Sequence, residues 1–147
     1  MKVFFHRPFR IEWGQCDPAG IVFAPRYLDM FSENTILLFE AAGLPRKRDM
    51  LEQMGVMGYP MVDVSARFLH TASYGDDVVI ESAAPIFGNS SFTIDHRLML
   101  GDTVCVECTE TRVWAMPDPS RPGGVRAVRV PDQVRILFES ETEPAGE

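Results

Sequence analysis

One carboxylate in this chain stands where chemistry could use it. Asp17 lies in Gly14-Gln-Cys-Asp-Pro-Ala-Gly20, a loop punctuated by glycine and proline just ahead of a long helical pattern. Its neighbours Cys16, Pro18 and Ala19 bring no cation. Pro25 suits the first helical position. Ala24 is then the N-cap, and alanine caps poorly. The first-turn N–H groups therefore lack a side-chain partner, and such donors can receive an anion or a developing oxyanion. A carboxylate beside free amides is an arrangement for attack on a carbonyl. It also has an ordinary reading as a cap or turn former.

The other reactive side chains read as structure. Cys105 and Cys108 form a C-x-x-C, but within Thr103 to Trp114, a strand-like stretch. Residues three apart on a strand point to opposite faces, so the two thiols are not expected to share a metal or a redox bond. No second cysteine or histidine pair completes a zinc set, and no metal site is expected. His70 and His96 fall on the apolar-facing sides of their strands and read as satisfied sheet histidines. The chain has no G-x-S-x-G elbow, H-E-x-x-H, P-loop or G-x-G-x-x-G.

Positioning Asp17 falls to one helix and several strands. Lys2 to Trp13 reads as a first strand. Over about 25 to 42, Tyr27, Leu28, Phe31, Leu38, Phe39 and Ala42 recur at helical spacing. Arg26, Asp29, Glu33 and Glu40 share a narrow opposite arc, so the helix should be largely buried. Gly43 and Pro45 end it. A short helix over about Arg46 to Met54 follows. Then the period becomes two. Val62, Val64, Ala66, Phe68 and His70 line one face of a strand, with Met61, Asp63, Ser65 and Arg67 on a mixed outer face. Val78 to Ala83, Phe92 to Leu100, Val104 to Met116 and Val125 to Val130 are further strands, with Gly101-Asp102 as a hairpin turn. A buried helix among antiparallel strands requires one sheet to wrap it, an α+β architecture.

Size and charge bound the partners. The 147 residues make one domain, expected over 1–138, followed by an acidic, apolar-poor tail at 139–147 that is expected to be disordered. The hydrophobic share is 46%, the charged share 24% and the net charge −7. No basic run offers phosphate contacts, so nucleic acid is not an expected partner. No apolar stretch approaches the ~20 residues of a membrane span, and no signal-peptide pattern opens the chain. A soluble cytoplasmic protein is expected.

The segment Ile11-Glu-Trp-Gly-Gln-Cys-Asp-Pro-Ala-Gly-Ile-Val-Phe-Ala-Pro-Arg-Tyr27 resembles the signature of the 4-hydroxybenzoyl-coenzyme A thioesterases of the hotdog fold. Gly58-Tyr-Pro60, Thr71-Ala-Ser-Tyr74 with Asp76, Ser91-Phe92, Arg112-Val-Trp-Ala-Met116 and Arg126-Ala-Val-Arg-Val-Pro131 extend the similarity from about residue 10 to 131. The resemblance implies a sheet wrapped around one central helix. It implies dimers assembling into homotetramers, and metal-free hydrolysis of an acyl-coenzyme A. No cofactor is implied, since coenzyme A is part of the substrate.

By the same resemblance, Asp17 matches the catalytic carboxylate, as nucleophile or general base. The backbone N–H of Ala24 matches the carbonyl-polarising donor. Phe23 matches an aromatic beside the acyl group, and Arg126 a basic residue used for coenzyme A phosphates. Ser32 stands where the 4-hydroxybenzoyl enzymes carry an acid that meets the ring hydroxyl, and serine alone predicts a less selective pocket end. Gly88-Asn89-Ser90 replaces a basic run. The rival expectations are a non-catalytic acyl-coenzyme A-binding module and a hotdog dehydratase or hydratase. Dehydration usually needs a histidine paired with an acid, and none adjoins the Asp17 loop.

Overall fold

A computed structural model describes residues 1–139. The expected tail at 139–147 thus lies, from 140 onward, outside the described residues. Strand β1 (Phe5–Arg10) leads through a single 3-10 turn (Trp13–Gln15) and the Asp17 loop into helix α1 (Ala24–Ala42). A second 3-10 turn (Lys47–Asp49) runs into α2 (Met50–Met54). Then come β2 (Met61–Phe68), β3 (Asp77–Ser82), β4 (Ile86–Phe87), β5 (Ser91–Leu100) and β6 (Thr103–Val113). A ribbon of β7 (Ala115–Pro117) and β8 (Val125–Ala127), then α3 (Asp132–Arg135) and a third 3-10 turn (Ile136–Phe138), complete the order. The main sheet is antiparallel with order β1-β3-β5-β6-β2, and β4 adds to β5.

Helix α1 joins two apolar clusters. Tyr27, Met30 and Phe31 from its first half pack with Ile11, Ile80, Leu98 and Val106. Leu38 and Phe39 from its second half pack with Tyr59, Phe92, Trp114 and Val130. Between them Asn34 and Thr35 are fully buried, so a polar belt interrupts the expected apolar stripe. The helix ends at Gly43, whose φ of 116° is the left-handed geometry that glycine supplies without strain.

Four expectations change. The helix begins at Ala24, not Pro25, and Phe23 is the N-cap. Val22 and Phe23 donate their N–H groups to Ala72 and Gln15 carbonyls, which keeps the chain extended through Phe23. In β2 a register shift between Met61 and Asp63 makes Val62 the extra residue. Met61 then sits opposite inward-facing Arg112, and Val62 is left 61% exposed. In β6 a shift at Leu98/Met99 leaves Cys105 unpaired in the ladder. The bulge turns it inward, so both thiols are buried in the same cluster rather than on opposite faces. Burial pushes the Cys108 thiol up to about 12 and raises that of Cys105, so neither thiol is poised to react. Finally, His70 lies beyond the end of β2 and is exposed, its Nδ1 on the Thr71 carbonyl.

Candidate active site

The Asp17 loop is a small hairpin fastened to the sheet. Cys16 pairs with Val22, Asp17 N–H donates to the Ile21 carbonyl, and Gly20 N–H to the Asp17 carbonyl. Ile21 pairs with Ser73, and Tyr74 N–H donates to the Gly20 carbonyl. Gly20 carries φ +82°, which a side chain would strain. Asp17 is half-buried, and its Oδ1 accepts the Ala19 N–H at 2.8 Å. The turn-former reading therefore accounts for one oxygen. Oδ2 has no hydrogen-bond or ion-pair partner among the described residues.

Two residues after the hairpin closes at Val22, α1 starts with no side-chain cap. Arg26 N–H donates to the Phe23 carbonyl at 2.8 Å, and Pro25 has no N–H to offer. The Ala24 N–H has no acceptor among the described residues. It carries the partial positive charge of a 19-residue helix. Phe23, 52% exposed, stands beside it. Loop and helix start thus present a carboxylate oxygen and an amide donor from one continuous segment.

The remaining sequence candidates lie on other elements. Ser32 is half-buried two turns into α1, and its Oγ accepts Arg112 Nη2–H at 3.0 Å. Arg126 lies on β8, its side chain 47% exposed and 4.0 Å from an Asp118 oxygen. The chain therefore carries Asp17, Phe23 and Ala24 on one continuous segment, holds Ser32 further along the helix, and keeps Arg126 on the ribbon.

Sequence reasoning missed a buried polar chain under α1. Arg7 Nε donates to Asn34 Oδ1 at 2.9 Å, and Asn34 Nδ2 donates to Ser82 Oγ at 2.6 Å. Ser82 Oγ meets His96 Nδ1 at 2.6 Å, and His96 Nε2 meets Thr35 Oγ1 at 3.0 Å. Thr35 Oγ1 donates to Glu110 Oε2 at 2.8 Å, which also accepts Arg112 Nε–H at 2.9 Å. Burial pushes the Glu110 carboxyl up, but the His96 ring 3.7 Å away and the Arg112 guanidinium hold it at about 2. His96 is thus a satisfied sheet histidine, as expected. A signal was present: Glu110 and Arg112 occupy the same alternating positions as inward-facing Val106 and Cys108.

Among the described residues no group of three His, Cys, Asp or Glu side chains could hold a metal ion. No helix there is long and apolar enough to cross a membrane.

A family model described as the thioesterase-like superfamily matches residues 11–136. A 4-hydroxybenzoyl-CoA thioesterase of Pseudomonas sp. (strain CBS-3) is 40% identical over 130 residues, covering 83% of this chain and 88% of that protein. A crystal structure of an Asp-to-Asn mutant 4-hydroxybenzoyl-CoA thioesterase, complexed with 4-hydroxybenzoyl-CoA, superposes with TM-score 0.84 at 32% identity. It spans 92% of this chain and 98% of its own. A gentisyl-coenzyme A thioesterase superposes at 0.77 with 26% identity, over 90% of this chain and 98% of its own.

Proposed function

Since this chain belongs to the thioesterase-like superfamily and is a hotdog-fold thioester hydrolase, we propose that its substrates are aryl-coenzyme A thioesters, cleaved at Asp17 to the free acid and coenzyme A. The observation that carries the proposal is that Asp17 Oδ2 and the Ala24 N–H, on adjoining segments, both lack a partner among the described residues.

The thioester carbonyl oxygen takes the Ala24 N–H. As the carbonyl carbon becomes tetrahedral, its oxygen gains charge, and the helix start stabilises that charge more than it stabilises the ground state. Asp17 acts by one of two routes. As nucleophile, its oxygen bonds to the carbonyl carbon, the C–S bond breaks, and coenzyme A leaves as thiolate. Water then hydrolyses the mixed anhydride and regenerates the carboxylate. As general base, it takes a proton from water that attacks directly. The acyl ring extends along α1 past Phe23 toward Ser32, and Arg126, provided from another subunit or at the pocket mouth, pairs with coenzyme A phosphates. The relative that binds 4-hydroxybenzoyl-CoA with an Asp-to-Asn change supports a carboxylate in this role. A cytoplasmic location and a tetramer built from dimers complete the reading.

The test is thiol release from benzoyl-CoA, followed with a thiol reagent alongside equilibrium binding. Stoichiometric, catalytic release of coenzyme A is expected. Tight binding without thiol release would identify a carrier module, and loss of water from a 3-hydroxyacyl-CoA, read as enoyl absorbance, without thiol release from either compound a dehydratase; either result overturns the proposal.

A further inference from the structure

Serine alone makes position 32 a neutral end to an acyl pocket, but the groups behind it are cationic. Arg112 is buried, and it spends three of its five N–H donors: Nε on Glu110, Nη1 on the Tyr59 carbonyl at 3.2 Å, and Nη2 on Ser32 Oγ at 3.0 Å. Ser32 Oγ is therefore an acceptor toward the protein. Its hydroxyl proton has no acceptor among the described residues, so what Ser32 can offer a ligand is a donor. A second cation stands nearby. Lys47 Nζ lies 4.7 Å from the centroid of the Tyr59 ring, and Arg112 Cζ lies 5.8 Å from the same centroid. Lys47 is half-buried and has no hydrogen-bond or ion-pair partner among the described residues. Burial lowers its pKa and the Arg112 charge lowers it further, as expected of an ammonium that faces another cation with no acid of its own.

Ser32 on α1 and Arg112 on β6 stand at one end of a strip between α1 and β2, and Lys47 is linked to Arg112 through the Tyr59 ring. At the other end Tyr27, in the first turn of α1, meets Phe68 of β2 at 5.8 Å between ring centroids. Val64 and Met61, inward-facing opposite Glu110 and Arg112, carry the strip's apolar wall toward Ser32. Ser32 is eight residues beyond Ala24, roughly 12 Å along the axis at helical rise. That length suits an aryl group whose carbonyl rests at Ala24.

We propose that Ser32, Arg112 and Lys47 form a specificity end that selects aryl-coenzyme A substrates whose ring carries a hydrogen-bond acceptor or anionic substituent, such as a carboxylate, opposite the thioester. The inference rests on the thioesterase reading and names its substrate class. An acceptor there receives the Ser32 proton and faces two cations, of which only Arg112 is neutralised by a carboxylate, that of Glu110. An apolar substituent leaves the Ser32 proton and the Lys47 ammonium desolvated without a partner, which is the costly case for buried donors.

The experiment compares kcat/KM for 4-carboxybenzoyl-CoA and 4-methylbenzoyl-CoA in the wild type, Lys47→Met and Ser32→Asp. It also compares equilibrium binding of the corresponding non-hydrolysable 4-carboxybenzyl- and 4-methylbenzyl-CoA thioethers. The wild type should favour the carboxylated member at least tenfold in both readouts. Lys47→Met should cut that ratio several-fold. Ser32→Asp, which gives Arg112 a carboxylate of the protein's own, should reverse it. A wild-type preference for the methyl compounds, or a thioether ratio that neither substitution moves, overturns the proposal. Thioether discrimination without any thioester hydrolysis would leave the specificity end standing and refute the catalytic reading alone.

Discussion

Ala24 has no side-chain chemistry, yet its position at the first turn of α1 gives it the free N–H of the helix start. This allows an unusual test, because the donor can be deleted without disturbing the helix. Proline is tolerated at the first helical position, and Phe23, at φ −68° and ψ 121°, already has the extended backbone that precedes proline. Ala24→Pro should therefore leave the helical circular dichroism and melting temperature near wild type. Turnover should fall on the order of 100-fold, about 2.7 kcal/mol, the usual cost of one oxyanion donor. Wild-type turnover in a folded Ala24→Pro protein would remove this amide from the mechanism. The turn at Asp17 and the uncapped start of α1 were legible in the sequence because loop punctuation and capping are local signals, although the cap is Phe23 rather than Ala24. Ser32 was legible as a position but not as a chemical group. Its partner Arg112 is 80 residues away, and nothing short of the folded register pairs them.

At the scale of elements, α1 is fixed to the sheet by the polar belt as well as by its apolar faces. Thr35 and the Arg112 guanidinium both depend on Glu110 Oε2, while buried Glu110 Oε1 has no protein partner among the described residues. The native carboxyl titrates at about 2, below its ordinary value of 4.5. A depressed acid contributes stability that is fully present above the unfolded value and is lost as pH falls through the native one. Wild-type stability should accordingly drop between about pH 4.5 and 2, with Glu110 supplying on the order of 3 kcal/mol of the change. Glu110→Gln should be less stable at pH 7 and show a shallower acid limb in denaturant titrations at stepped pH. Parallel acid limbs would show that Glu110 is not the group responsible. The belt escaped the sequence reading because Asn34 and Thr35 interrupt an otherwise apolar stripe, and helical periodicity averages over such interruptions. The bulges at Val62 and Cys105 escaped it too, since strict alternation cannot register one extra residue.

At the scale of the molecule, the sheet has two unlike edges. Strand β1 carries Pro8 between Arg7 and Phe9, with Arg10 beyond, features that discourage further pairing. Strand β2 has no proline, and its Val64 and Phe68 are 37% and 54% exposed although they face the α1 side. Of the apolar face expected of β2, Val64 to Phe68 is thus on the expected side but open at the margin, and a second copy pairing at β2 would cover it. Light scattering should give a multiple of the 16.5 kDa chain mass, and Val64→Lys should shift the distribution toward a single chain. A wild-type monomer at micromolar concentration would contradict assembly through this edge. Such an assembly would also close the strip that leads from Ala24 to Ser32. The order of the elements and the single buried helix were readable from period and punctuation. The unequal edges were not, because strand order is set by pairing between distant segments. The central claim is that the assembled enzyme cleaves thioesters with the Asp17 carboxylate. The most direct measurement is kcat for benzoyl-CoA in the wild type and in Asp17→Asn, with thermal melting to verify that the variant is folded. The nearly isosteric amide keeps the loop but removes both nucleophile and base. A loss of about 100-fold or more is expected, and a folded Asp17→Asn protein turning over near the wild-type rate would contradict the account.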